Sequence, residues 1–182
     1  MKNYLFNEAY TFFPKKIFGL DEKYQEQIEI QRLKTQMKFS IDNEYSEWEN
    51  FINQIKRKKY DVFDYTNFLL SQPSFHLKIS IEKEEQFLKT FNLYSSFVIP
   101  YFYYSVNIYD NFDKVNTNIS INNPKDIDSE IIEFINQFSL QFKKTIIDEK
   151  YLNLKIPDIS FETVEEGNFT VMNAFFNSNI LL

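Results

Sequence analysis

The chain has 182 residues and no cysteine, with a formal net charge of −6 and a sequence pI of about 4.9. This length fits one domain, which buries roughly 70% of the surface its unfolded chain exposes and needs no metal or disulfide to hold it. The acidity argues against the basic face from which nucleic-acid binders draw affinity, and the missing thiols rule out a cysteine nucleophile, a thiolate metal site and a disulfide framework.

Residues 1–20 read as an aromatic, irregular segment ending at Gly19. No apolar run there reaches signal-peptide length, and no window approaches the ~18 apolar residues of a membrane span, so a soluble, cytoplasmic protein is expected. Asp21 can cap a helix running to about Phe39. Tyr24 and Ile28 share one side of it, and Ile30, Leu33 and Met37 form an adjacent stripe. A second predicted helix, Glu44 to Lys59, buries Tyr45, Trp48, Phe51, Ile52 and Ile55. The two are expected as an antiparallel pair joined near Ser40-Ile41-Asp42-Asn43. The basic run Lys56-Arg57-Lys58-Lys59 reads as a solvated last turn, where cations complement the helix dipole.

Tyr60 to Pro73 is a connector with no predicted conformation. Ser74 to Glu82 alternates, with Phe75, Leu77, Ile79 and Ile81 on one face and Ser74, His76, Lys78, Ser80 and Glu82 on the other, as a half-buried strand does. Glu82 to Thr90 reads as a polar loop or short helix. Leu93–Ile99 and Tyr101–Ile108 are one long strand bent at Pro100, or two strands; proline lacks the ladder donor, so an edge or a bulge is expected there. Asn111 to Asp126 is a polar loop. Asn123-Pro124, or Asp126 or Asp128 as the cap, opens a helix over 128–148 with Ile131, Ile135, Phe138, Phe142 and Ile146 on its apolar stripe. Ile159–Val164 and Asn168–Phe176 flank Glu165-Glu166-Gly167, which reads as a hairpin turn with Gly167 at positive φ. The sum is an α+β domain spanning 1–182: an N-terminal segment and helical pair over 1–60, then, over 74–176, a sheet with its long helix. The sheet is antiparallel, of four to five strands, with about three helices packed mainly on one face.

Catalytic signals are sparse. His76 is the only histidine, and nothing in the sequence supplies its orienting group or a nucleophile, so it reads as solvent-exposed or capping. Carboxylates such as Asp61, Asp64, Asp126 and Asp128 suit caps and solvation, with a magnesium or glycosidase role as the alternative. No catalytic residue, metal ligand or cofactor is assigned. Gly19 and Gly167 stand alone, so no phosphate-cradling loop forms in the usual way.

Recognition has the stronger signal. After Pro100 the chain reads YFYYSVNIYD. Phe102, Tyr104, Val106 and Ile108 fall on one face of a strand, as core. Tyr101, Tyr103, Ser105, Asn107 and Tyr109 fall on the other, and tyrosine offers wide contact area at little cost in side-chain entropy. Asp110 and Asp113 follow, an acidic rim that would steer a basic partner. These seven residues are the candidate partner-binding surface. The alternative is that another part of the chain covers the face.

The strands SFHLKISIE and FVIPYFYYSV, the helix SEIIEFINQFSLQF and the closing FETVEEGNFTVMNAFF resemble the small acidic immunity proteins of bacterial polymorphic and type VI toxin systems. The likeness lies in size, charge and style over Phe75 to Phe176, and transfers no residue role. Heavy use of Lys, Asn, Ile and Phe fits an AT-rich bacterial genome. The resemblance implies a protein that binds a cognate protein toxin, a basic one suiting its charge, and occludes the toxin's active site. From the charge and the lack of long apolar runs, no nucleic acid and no membrane are expected, and the chain is a monomer or a homodimer. Two alternatives stand beside the immunity reading: a structural or adaptor subunit acting by self-association, and a carboxylate- or magnesium-dependent hydrolase.

Overall fold

The structure is a computed structural model that describes residues 1–66, 72–84, 87–110, 114–119, 129–161 and 164–176, with backbone alone for 82–84, 87, 108–110, 114–119 and 130. The chain begins with a helix where an irregular segment is expected: α1, Lys2–Phe12, buries Leu5 and Ala9, and Phe13 follows at the same four-residue spacing. Asp21 caps no helix: its Oδ1 accepts from the Lys23 N–H at 2.8 Å in a local turn just ahead of the 3₁₀ turn Tyr24–Glu26, and the long helix begins later.

The predicted helical pair is one helix. α2 runs Ile28–Arg57, 30 residues, or about 45 Å at 1.5 Å per residue. Its buried stripe passes through the predicted joint by way of Ser40, between Met37 and Trp48. Ser-Ile-Asp-Asn contains no helix breaker, and two i,i+4 contacts bind it to the helix: Lys38 pairs with Asp42 at 2.8 Å, and Asn43 Nδ2 donates to the Phe39 carbonyl at 2.7 Å.

The sheet is built from β1 (Asp61–Asp64), β2 (Ser74–Glu84), β3 (Phe87–Ser96), β4 (Tyr101–Asp110) and β5 (Lys114–Ile119), antiparallel and in chain order. β1 lies in the supposed connector, β3 begins inside the supposed polar loop, and β5 occupies the supposed loop after β4. Pro100 ends the turn between β3 and β4, where no ladder donor is required, so the two-strand alternative holds.

α3, Ser129–Phe142, is shorter than its predicted span. Lys143 at φ 52° breaks it, and Thr145–Ile146 leave as β6, parallel to β4, which exposes Ile146 instead of burying it. The expected caps Asp126 and Asp128 lie outside the described residues. The closing hairpin is not a paired ladder: isolated bridges join Phe161 to Val164 and Lys155 to Thr170. A capping box of Thr170 and Asn173 then opens α4, Val171–Phe175. Gly167, at φ 83°, supplies the expected positive-φ turn, closed by the Asn168 N–H on the Glu165 carbonyl.

α2 and α3 cover the first face of the sheet with interlocking rings. Trp48 stacks on Phe75 at 5.0 Å, Phe138 meets Phe102 at 4.9 Å, and Phe51 meets Phe138 at 5.3 Å. Leu5, Phe13 and Tyr24 join the same buried cluster, as do Phe169, Phe175 and Phe176. The N-terminal segment is therefore part of the core.

Candidate functional site

Strand alternation sends a second set of side chains to the opposite face, and the register aligns them into rungs. His76 lies opposite Tyr94, and Tyr94 opposite Tyr103. Lys78, Asn92 and Ser105 form the next rung, and Ser80, Thr90 and Asn107 the one after. On the first rung the rings stack. Tyr65 lies 5.4 Å from His76, His76 4.2 Å from Tyr94, and Tyr94 6.1 Å from Tyr103, with interplanar angles of 32°, 21° and 17°. Phe63 adds a fifth ring, 6.3 Å from Tyr65. Cross-strand aromatic pairs of this kind stabilise a sheet. Tyr94 is itself buried, with Thr90 and Asn92 beside it, so the ladder is exposed only at its Tyr65 and Phe63 end.

The outer end of this ladder is held by a first-face knot. Asp64 Oδ2 accepts from Trp48 Nε1 at 3.3 Å and from the Tyr45 hydroxyl at 3.4 Å, and its Oδ1 accepts from the Thr66 N–H at 2.9 Å. Thr66 Oγ1 in turn accepts from the His76 N–H at 3.2 Å. Burial, with the Asp64 charge second, raises the Tyr45 pKa. The knot fixes β1 while Phe63 and Tyr65 stay 50% and 51% exposed.

The inner end meets other parts of the chain. Phe176 packs 6.3 Å from Tyr103, and its carbonyl accepts from Ser74 Oγ. Tyr101 meets Tyr4 of α1 edge-on at 6.3 Å. Tyr101, Tyr103, Ser105 and Asn107 are thus brought together on the second face, each half-buried. Tyr109 and Asp110 continue β4, described by backbone alone, and Asp113 lies outside the described residues. Phe102 and Val106 are core as expected, while Tyr104 is half-buried against Phe91 at 5.7 Å and its hydroxyl pKa is raised by that burial.

His76 is no exposed histidine. Desolvation between two rings lowers its pKa to about 4, Asn92 opposes the shift through Oδ1 at 3.4 Å from Nε2, and the Lys78 charge adds to it. Two polar atoms of the central strand, Thr90 Oγ1 and Asn92 Nδ2, are buried and make no hydrogen bond among the described residues.

A second polar cluster lies on the helix-covered side. Lys144 Nζ donates to Ser95 Oγ at 3.0 Å and to the Ser96 carbonyl at 2.6 Å, and Glu44 Oε2 stands 3.7 Å away, an ion pair too long for a hydrogen bond. Burial pushes the ammonium below the usual lysine range, with Glu44 opposing. A serine hydroxyl on a desolvated lysine is a nucleophile arrangement in some hydrolases. Here Ser95 is fully buried, and the cluster clasps α2 and the end of α3 to the β3–β4 turn. Among the described residues no three acidic, histidine or cysteine side chains group to hold a metal, and no helix is long and apolar enough to cross a membrane.

Sequence reasoning missed the outer rings because β1 itself was missed. The signal was present: Asp61, Phe63 and Tyr65 alternate with Val62 and Asp64. Four residues are too few to separate a strand from a connector by period alone. No protein-family model, curated protein or solved structure matches the chain.

Proposed function

We propose that this chain is a protein-binding inhibitor of the immunity type, which docks the second face of its sheet on one cognate toxin and occludes that toxin's active site. The observation that carries the reading is the ring ladder, ordered from Tyr103 to Tyr65 and half-exposed at Phe63 and Tyr65. Rings held by their neighbours lose little entropy on docking, and buried aromatic anchors carry most of the energy of such interfaces. Phe63 and Tyr65 serve as the anchors. Tyr101 and Tyr103, already packed on Tyr4 and Phe176, support them from within. The net charge of −6 favours a basic toxin and speeds its approach. The buried position of Ser95 and the structural use of Asp64 weigh against the hydrolase alternative.

The test is expression of the product of the adjacent reading frame, alone and together with this chain. The expected result is toxicity alone, tolerance together, and a stable complex on gel filtration. A harmless neighbour with nothing co-eluting would remove the immunity reading.

A further inference from the structure

Away from the ladder, α1 and α2 leave an open groove of about 390 Å³ lined by Thr11, Phe12, Ile28, Arg32, Thr35 and two glutamines. No ring of the ladder takes part in it. Ile28 is 59% exposed here, at the first turn of α2, where it forms an apolar wall of the groove with Phe12. The polar lining is already engaged. Thr11 and Thr35 hydroxyls donate to carbonyls four residues earlier, at 3.0 and 2.8 Å. Gln31 Nε2 donates to the Gln25 carbonyl at 2.7 Å and Gln36 Nε2 to the Phe97 carbonyl at 3.1 Å. Arg32 is the exception, and it is also the groove's only formal charge. Among the described residues its guanidinium makes no hydrogen bond and no ion pair.

An apolar trough with one unengaged guanidinium is complementary to an apolar body carrying one carboxylate. The guanidinium fork matches a carboxylate bidentately, and the trough falls in the size range of small-molecule sites, about 300–1,000 Å³. We propose that the α1–α2 groove binds a small amphipathic carboxylate, its chain lying along Phe12 and Ile28 and its head group on Arg32. This is independent of the toxin-binding reading, since it uses another face and another chemistry.

Decanoate below its micelle concentration is the probe, with decan-1-ol and decylammonium as chain-matched controls, followed by amide chemical shifts. Saturable shifts confined to residues around Phe12, Ile28 and Arg32 are expected with decanoate and not with the controls. Arg32→Gln, an exposed change that leaves the core untouched, should weaken decanoate by about tenfold or more. Equal response to the alcohol, shifts elsewhere, no saturable shift, or unchanged binding in a folded Arg32→Gln protein would each overturn the proposal.

Discussion

At the scale of single residues, two buried ionisable groups report on the two faces of the sheet. The folded protein binds a proton on His76 only near pH 4, whereas the unfolded chain does so near the ordinary value of 6.5. The contribution of neutral His76 is therefore complete above pH 6.5 and declines as the pH falls toward 4, by about 3 kcal/mol across the window. Urea unfolding at stepped pH should show this slope in the parent protein and a shallower one in His76→Gln. Identical slopes would mean that the ring is not desolvated between Tyr65 and Tyr94. Lys144 reports on the covered face. Its replacement by methionine removes the donor to Ser95 Oγ and the Ser96 carbonyl and the partner of the half-buried Glu44 carboxylate, and a loss of about 1–3 kcal/mol is expected in equilibrium unfolding. A loss near zero would show that the clasp contributes nothing to holding α3 against the sheet.

At the scale of elements, the continuity of α2 is the feature that most separates the structure from the sequence pattern. Asp42 is exposed near the middle of the helix. Asp42→Pro should cost about 3 kcal/mol in unfolding free energy, because it removes a helical hydrogen bond and clashes with the preceding turn. A joint between two helices would accept the same change with little loss. The strands β2 and β4 were legible because each alternates over eight or more residues with one face apolar. Helix α3 was legible through its stripe at Ile131, Ile135 and Phe138. The elements that were not legible have physical reasons. α1 carries its apolar spacing among aromatics that also suit loops. β3 places Thr90 and Asn92 on its second face, buried polar residues that read as solvent-exposed. β5, KVNTNI, is polar enough to pass for a loop. α4 is a single capped turn, and its short run Val171-Met172-Asn173-Ala174-Phe175, buried throughout, is too brief for its period to separate a helix from a buried strand. Of the candidate surface, the β4 half was legible in the tyrosine alternation. The β1 half was not, since pairing across β2 and β3 is what brings Phe63 and Tyr65 into line with Tyr103.

At the scale of the whole molecule, the two faces of one sheet are used differently. The first is sealed by α2 and α3 with phenylalanine and tryptophan rings. The second carries tyrosine, histidine and amide groups, is met by α1 and α4 at its inner end, and stays open at β1. Both faces contribute to stability, the second through its stacked rings and the buried Tyr94, and its exposed rings are confined to the β1 end. The most direct test is the affinity of the co-purified partner, measured by calorimetry, for the parent chain and for a Phe63→Ala, Tyr65→Ala double variant. Both side chains are half-exposed, so the variant should fold. A loss of affinity of about tenfold or more with near-parental thermal stability is the expected result. Unchanged affinity in the folded double variant would contradict the assignment of the ring ladder as the binding surface.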